Sequence, residues 1–235
     1  MKILKKNQDQ HKRNRTLVSK NIIATITLFT LLVMSVNAQI IIDDFTTGTL
    51  PFTTVKVAGE KKFDQTGASI LNKKRSVILK IKKNADQQFF QTFIKKGRLV
   101  TSIGYGITGV VELRYGYDNP KKLNLDLTKH KYIHIEYEAK SNFGRVYVSM
   151  FSNGPNRAFW RGAGNRVVYQ GSLNPGGSNK KNFEIKIPLD EFISAQDNAN
   201  VENKFTMSDV DYFKIQFISQ GLQGLNFAVT KIWIE

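Results

Sequence analysis

The sequence predicts an all-β fold: a single antiparallel β-sandwich with one short helix, preceded by an N-terminal signal segment. Two observations support this prediction. Apolar side chains recur with a period of two residues in successive runs, which is typical of half-buried strands. Turn-forming residues separate these runs about every 8–12 residues, the spacing seen in sandwiches. Hydrophobic residues make up 41% of the chain and are spread along its whole body, so a buried core can form throughout.

Residues 1–38 are predicted to be a signal peptide. Seven Lys and Arg residues precede an apolar run over residues 22–36, and Val36-Asn37-Ala38 places small side chains at the usual cleavage position. The alternative is an uncleaved signal anchor, although the run is shorter than the roughly 20 residues that a bilayer span needs. We therefore expect one sandwich domain over residues 39–235, secreted or periplasmic and cell-surface, with no stable membrane span after cleavage.

The charge balance favours anionic partners. Seven of the 35 basic residues and one of the 19 acidic residues precede residue 39, which leaves 28 basic and 18 acidic residues and a net charge of +10. A positive domain of this kind suits acidic polysaccharide or a similar polymer. The alternative is that the lysines, most of them in turns, only keep a β protein soluble and protect its sheet edges. The chain has no Cys, so its stability must come from packing.

The first two thirds of the domain contain most of the predicted strands. Residues 40–45 form the first strand and run into an acidic turn, and the polar stretches 46–51 and 65–69 are predicted to be loops. Alternating apolar residues then predict strands over residues 76–82, 88–94, 99–103, 110–117, 131–140 and 146–150. His134 falls on the polar side of its strand, so a position on the sheet surface is expected.

The last quarter of the chain gives the clearest alternation. Phe183, Ile185 and Ile187 alternate with charged residues, and Pro188 ends that strand because it cannot continue a ladder. Residues 189–194 suit one short helical turn. Two further strands follow, the last of which is predicted to place Phe227, Val229 and Trp233 on one face; Trp233 is interpreted as structural. The predicted domain therefore has about ten strands.

This C-terminal pattern resembles the galactose-binding-like β-sandwich, the carbohydrate-binding-module-like jelly roll of secreted bacterial proteins. The opening Ile40-Ile-Ile-Asp-Asp-Phe45 and the phrase Asp126-Leu-Thr128 before a strand are also similar to that group. The resemblance implies carbohydrate binding and, in some members, a structural Ca²⁺ held by acids near the first strand and an acid in the last. Asp43 and Asp44 are the candidate ligands here. The last strand has Thr230 and Lys231 where an acidic pair is expected, and no other cofactor is implied.

The candidate ligand site is the longest irregular stretch, residues 152–181. It concentrates Gly and Asn with aromatic and Arg side chains. An aromatic ring can stack on a sugar, while Arg and Asn bind hydroxyl or carboxylate groups. The predicted ligand-binding residues are Asn156, Arg157, Trp160, Arg161, Arg166 and Tyr169. In the alternative interpretation, Trp160 covers one end of the core and Tyr169 belongs to a sheet.

Catalytic and nucleic-acid functions find little support in the sequence. No Cys nucleophile exists, and only His130 and His134 lie beyond residue 38, too few to complete a zinc site with Glu136. Glu136 and Glu138 form a carboxylate pair of the kind that glycosidases use, but neighbouring exposed acids on a strand are ordinary. No phosphate loop or nucleic-acid recognition motif is present.

We therefore expect a secreted, non-catalytic carbohydrate-binding domain whose partner is a polysaccharide or cell-surface glycan, with acidic glycans as one candidate class. The first alternative is a cell-envelope structural or protein-interaction domain without a sugar site. A polysaccharide hydrolase or lyase is a more distant alternative.

Overall fold

The computed structural model describes residues 39–117, 122–139, 141–142, 144–152, 156–161, 181–195, 205–221 and 224–235, with the backbone alone for 156–161 and 193–195. The predicted signal peptide and two predicted ligand residues, Arg166 and Tyr169, lie outside this part of the chain. Within it, no helix has the length and apolarity that a membrane span requires.

The described residues form fourteen strands and two short 3-10 turns, Leu71–Lys73 and Leu189–Glu191. The strands are β1 (Ile40–Asp43), β2 (Leu50–Val55), β3 (Gly59–Thr66), β4 (Lys74–Lys83), β5 (Phe90–Ile94), β6 (Leu99–Ile103), β7 (Thr108–Tyr115), β8 (Tyr132–Tyr137), β9 (Arg145–Ser152), β10 (Asn156–Arg161), β11 (Phe183–Pro188), β12 (Ile193–Ala195), β13 (Tyr212–Gln220) and β14 (Leu225–Ile234). The turn at Leu189–Glu191 confirms the predicted helical turn in position, although β12 follows it directly.

Two antiparallel sheets of seven strands build the domain. The first sheet has the order β11-β8-β14-β6-β5-β2, with β1 paired to the C-terminal part of β14. The second sheet has the order β12-β10-β9-β13-β7-β4-β3. The predicted all-β sandwich is therefore confirmed.

The core lies between the sheets and is made by alternate residues of their strands. Each sheet contributes to one continuous apolar cluster. The second sheet supplies Val77, Leu79, Val111, Leu113, Val148, Met150, Phe213, Ile215 and Phe217, and the first supplies Phe90, Ile94, Leu99, Ile103, Ile133, Ile135, Tyr137, Ile185, Ile187, Phe227, Val229, Ile232 and Ile234. This alternation is the pattern from which the strands were predicted.

A buried ion pair connects the first strand to the second sheet. The Arg75 guanidinium donates to Asp43 and, at 2.7 Å, to the side-chain oxygen of Gln65; both members of the ion pair are fully buried. The Tyr115 hydroxyl also donates to Asp43, over 2.9 Å. Burial raises the pKa of the Asp43 carboxyl, and Arg75 acts against that rise. Burial raises the pKa of Tyr115 well above its ordinary value, and the charge of Asp43 adds to that rise.

The prediction that Trp233 shares a face with Phe227 and Val229 is wrong. The register of β14 against β8 shifts between Val229 and Lys231, so one extra residue is accommodated there. Because side chains alternate along a strand, this bulge exchanges the two faces beyond it. Trp233 therefore lies on the outer face of the first sheet, where it is 9% exposed.

Four strands, β2, β3, β10 and β12, are not predicted from the sequence; β12 overlaps the predicted helical turn over residues 189–194. β2 and β3 occupy residues that show no continuous alternation, and β10 occupies part of the stretch predicted to be irregular. β3 is an edge strand with a consecutive run of exposed residues, Gly59 to Lys62. An edge strand of this kind need not alternate, because charged side chains protect its unpaired backbone.

Candidate functional site

Four of the six predicted ligand residues lie on β10, and its pairing with β9 divides them. Arg157 and Arg161 pair with Phe151 and Tyr147, whereas Asn156 and Trp160 pair with Ser152 and Val148. Directly paired positions belong to the same face of a sheet.

Phe151 and Tyr147 are half-buried on the outer side of β9, while Val148 and Ser152 are fully buried. The register therefore assigns Arg157 and Arg161 to outer-face positions and the other two predicted residues to core-side positions. Of these four positions, those of Arg157 and Arg161 therefore belong to the outer face of the second sheet.

The outer face of the second sheet brings together polar and aromatic side chains that are distant in sequence. They come from the three central strands and from the residues just beyond β7. We call this surface the outer platform; its described members are Glu112, Arg114, Tyr117, Tyr147, Phe151, Tyr212, Lys214 and Gln216.

The centre of the outer platform is a buried carboxylate. Glu112 is 1% exposed and pairs directly with Gln216 of the neighbouring strand, whose Nε2 donates to it over 2.5 Å. Arg114 donates its Nε–H to the other carboxylate oxygen, and the Nζ of Lys80 lies 3.7 Å from the oxygen that accepts from Gln216. Glu112 thus fixes the side chains of Arg114 and Gln216, because leaving any of these groups unpaired would be costly at such a buried position.

One end of the outer platform is an aromatic cluster. The Tyr117 ring lies 5.0 Å from the Tyr212 ring and 5.8 Å, edge to face, from the Phe151 ring. Two cations border these rings: the guanidinium carbon of Arg114 is 5.2 Å from the centre of Tyr117, and the Nζ of Lys214 is 5.6 Å from the centre of Phe151. All three rings are half-buried, so part of each reaches solvent.

Basic residues outnumber acidic ones on this face. The three acids are Glu60, Asp64 and Glu112, and all three form ion pairs: Glu112 with Arg114 and Lys80, Asp64 with Lys62 at 3.5 Å, and Glu60 with Lys80 at 3.2 Å. The basic positions on the described part of the face are Lys62, Lys74, Lys80, Arg114, Arg145, Arg157, Arg161 and Lys214. The arrangement can offer rings for stacking, hydrogen-bond donors and a positive potential.

The outer face of the first sheet is different. His134 lies on this face, as predicted, yet only 3% of it is exposed because its ring stacks on Trp233 at 4.7 Å. Its Nδ1 is 2.6 Å from a carboxylate oxygen of Glu184, and its Nε2 is 3.4 Å from one of Glu235. These side chains pack on one another, so the rings of His134 and Trp233 are shielded from solvent.

The carboxylates named as candidate calcium ligands already have protein partners. Asp43 accepts hydrogen bonds from Arg75, from Tyr115 and from the Phe45 amide, the last at 2.9 Å. Asp44 accepts from the Thr46 hydroxyl at 2.6 Å. Partial burial raises the pKa of Asp44, but hydrogen bonds from Ser69 and Thr46 outweigh that effect and lower it.

A cation beside Asp43 would have to displace Arg75 as its counterion, which makes this carboxylate a poor start for a site that needs six to eight oxygens. The described residues contain no group of three or more His, Asp or Glu side chains able to hold a metal ion. The calcium assignment to Asp43 and Asp44 stays a prediction.

The aromatic members of the outer platform are not among the predicted ligand residues. A signal for them exists: Tyr147, Phe151 and Tyr212 occupy the polar positions of their alternating strands, where an aromatic side chain is unusual. Their convergence depends on β9 pairing with β13, two strands that are distant in sequence.

No protein-family model matches the sequence, and no curated protein sequence matches it. Among solved structures, the chain is similar to the family 11 carbohydrate-binding module of the cellulosomal cellulase Lic26A-Cel5E of Clostridium thermocellum, with 15% identity, a TM-score of 0.39 and coverage of 84% of this chain and 94% of that one. It is also similar to a family 11 module from Clostridium thermocellum in complex with a β-1,3-1,4-mixed-linked tetrasaccharide, with 14% identity, a TM-score of 0.38 and coverage of 83% of this chain and 94% of that one. The similarity to the solution structure of CtCBM11 has 15% identity, a TM-score of 0.37 and coverage of 86% of this chain and 96% of that one. Values this low assign neither a family nor a ligand to this chain.

Proposed function

We propose that this protein is a secreted, non-catalytic domain that binds glycans through the outer platform. One observation carries the proposal: the half-buried rings of Phe151 and Tyr212 both lie within 6 Å of the half-buried Tyr117 ring, beside Arg114 and Lys214. Aromatic rings bordered by fixed polar donors are the usual lining of a small-molecule site.

The chemistry of the outer platform suits a sugar ring. The carbon-bound hydrogens of a pyranose form an apolar face that can pack on a tyrosine ring, and its hydroxyls need hydrogen-bond partners at the edge. Arg114 and Gln216 stand beside the aromatic cluster, held by Glu112. Because these side chains are ordered before the ligand arrives, binding costs less conformational entropy.

The excess of basic residues supports acidic glycans as the preferred class. Arg pairs with a carboxylate through two parallel hydrogen bonds, and Arg157 and Arg161 occupy positions on the same face as Arg114. Uronate-containing polymers present one carboxylate per acidic sugar. Retention of the protein by such polymers should weaken as the salt concentration rises, because salt screens the attraction between opposite charges.

The environment of Glu112 supports a binding role over a hydrolytic one. A glycosidase acid must reach the glycosidic oxygen and work with a second carboxylate. The Glu112 side chain is 2% exposed, and its two oxygens accept hydrogen bonds from Arg114 and Gln216. It is therefore placed to orient its neighbours.

Affinity electrophoresis tests the proposal, with polygalacturonate as the acidic polymer and an uncharged galactan as the neutral one. We expect retention of the purified protein by polygalacturonate, weaker retention at high salt, and about tenfold weaker affinity for Tyr212→Ala, the loss of roughly one stacking contact. Tyr132→Ala is the matched control, because Tyr132 is also half-buried but lies on the outer face of the first sheet. Absence of retention on every polymer, or equal weakening by both substitutions, would refute the proposal.

A further inference from the structure

Three large apolar side chains are exposed together at one end of the sandwich. Val57, Phe89 and Tyr105 are 77%, 50% and 69% exposed. They belong to three different connections, those between β2 and β3, β4 and β5, and β6 and β7. We call these three residues the loop-tip patch. A group of exposed large apolar side chains on one part of a soluble domain often marks an interaction site.

Hydrogen bonds hold the three connections against one another. The side-chain amide of Asn84 donates to the Lys56 carbonyl at 2.6 Å and to the Gln88 carbonyl at 2.8 Å, and its oxygen accepts from the Gln88 amide. The Gly104 amide donates to the Phe89 carbonyl at 3.0 Å. The patch is therefore a fixed feature whose apolar groups are presented in a set arrangement.

Glycine makes the approach of these connections possible. A Cβ at Gly104 would lie 2.8 Å from the Cβ of Gln88, closer than such atoms come in proteins. Gly106 has a φ of +83°, a left-handed conformation that most side chains disfavour. These two residues flank Tyr105 and bring it beside Phe89.

Lysines surround the patch. The Nζ of Lys56 lies 4.2 Å from the centre of the Phe89 ring, and Lys82 and Lys83 are exposed at the adjoining end of β4. Asp86 is an exposed acid in the same region, and Gly106 faces its carboxylate. Residues 39–235 as a whole carry a net charge of +10. An anionic surface would therefore be attracted to this end of the domain.

We propose that the loop-tip patch inserts into the headgroup region of an anionic lipid bilayer. Apolar side chains at the tips of separate loops form a protrusion, which suits a fluid interface. Tyr and Phe rings are favourable at the headgroup level, and lysines can extend their ammonium groups to lipid phosphates while their stems cover apolar surface.

Two other occupants fit the patch less well. Its most exposed member, Val57, is aliphatic and gives a sugar no ring on which to stack. A second copy of the chain would bring two domains of charge +10 together, which electrostatic repulsion opposes.

The absence of cysteine allows a position-specific test in the full chain. Ala58 is exposed next to Val57, so Ala58→Cys accepts an environment-sensitive fluorophore while the patch stays intact. With vesicles of phosphatidylglycerol and phosphatidylcholine, we expect a blue shift and quenching by nitroxide-labelled lipid. The same fluorophore on Lys129→Cys, exposed at the opposite end between β7 and β8, should show neither effect. Because the signal is local, adsorption through residues 1–38 does not reproduce it.

Substitutions in the Ala58→Cys background identify the groups responsible. Val57→Ser, Phe89→Ser and Tyr105→Ser combined should weaken apparent vesicle affinity at least tenfold, without unfolding because all three are exposed. Phe52→Ser is the matched control, since Phe52 is 63% exposed in β2 but lies outside the patch; it should leave affinity unchanged.

Four outcomes would overturn the proposal. They are no shift at Ala58 with anionic vesicles, an equal shift at Lys129, equal loss in the Phe52 control, and a vesicle-independent shift that grows with protein concentration, which would indicate a second copy. An equal shift with pure phosphatidylcholine would overturn the requirement for anionic lipid.

Discussion

Two aromatic contacts, one on the outer face of each sheet, differ in their exposure to solvent. On the first sheet, Trp233 stacks on His134 at 4.7 Å, and neither residue is more than 9% exposed. On the second sheet, Tyr117 and Tyr212 are half-buried and lie in the aromatic cluster bordered by Arg114 and Lys214. The rings of Trp233 and His134 are covered by their neighbours, whereas those of Tyr117 and Tyr212 still reach solvent.

This difference shows that an aromatic residue on an outer sheet face is not by itself evidence of a binding site. Its role depends on the neighbouring side chains. On the first face, the His134 ring covers Trp233 and is itself bound by the Glu184 carboxylate, whereas on the second face part of the Tyr117 ring stays exposed beside Arg114. Substitutions on the first face should change the free energy of unfolding, and those on the second should change ligand affinity.

The largest expected effect is that of Trp233→Ala. Removing a buried indole leaves a cavity beside His134 and should lower the free energy of unfolding by about 3–5 kcal/mol. Urea denaturation followed by circular dichroism measures this loss. Tyr212→Ala, on the half-buried second face, should cost about 1 kcal/mol in the same experiment. Equal losses for the two variants would remove the distinction between the faces.

The free energy of unfolding at alkaline pH depends on two tyrosines in the core between the sheets. Tyr115 of the second sheet and Tyr137 of the first are buried, and burial raises the pKa of each hydroxyl well above its ordinary value. A raised folded-state pKa means that the unfolded chain releases these protons first, so stability is retained below about pH 10 and lost as pH rises further.

The expected loss is about 1.4 kcal/mol per pH unit for each tyrosine once the pH exceeds 10. Urea midpoints measured between pH 8 and pH 11 would show it, and Tyr137→Phe should reduce the slope by about half. A flat profile over this range, or one unchanged by Tyr137→Phe, would contradict the assignment.

Glu112→Gln should have a smaller effect on stability and a second effect on binding. The neutral amide weakens the charge-assisted hydrogen bonds from Arg114 and Gln216, at a cost of about 1–3 kcal/mol. Because Arg114 is then less well oriented, retention on polygalacturonate should also decrease at a temperature where the variant is fully folded. Unchanged retention would show that Glu112 does not order the outer platform.

The smallest expected effect is that of Glu184→Gln on the first face. Glu184 is 39% exposed, so solvent screens its interaction with His134, and the loss should stay below about 1 kcal/mol. Retention on polygalacturonate should not change. A loss of stability comparable to that of Trp233→Ala would mean that the contact between Glu184 and His134, and not the indole, stabilises this face.

The sequence predicts best those strands whose two sides differ sharply in polarity. Residues 99–103 form a strand with the expected bounds, because alternate residues are buried. β3 is missed since Glu60, Lys61 and Lys62 are all exposed and hide the period. The face of Trp233 is wrong because the bulge near Thr230 is set by pairing with β8, a strand about 90 residues earlier in the sequence.

The candidate site is predicted less completely for a similar reason. Composition alone identifies Arg157 and Arg161, which the register assigns to the outer face. It places Trp160 among the ligand residues, although that position pairs with buried Val148. Tyr212 and Arg114 join them only through the strand order of the second sheet, which no local pattern specifies.

The buried pair of Asp43 and Arg75 sets a limit on how far the amino end of the domain can be shortened. A peptidase that removed Asp43 would leave the guanidinium inside the protein without a counterion, at a cost of about 3–5 kcal/mol. The chain has no cysteine, so no disulfide could compensate for that loss. Trimming from the predicted cleavage point should therefore be tolerated at the exposed Gln39, whereas loss of the buried Ile42 or of Asp43 should mark the protein for degradation.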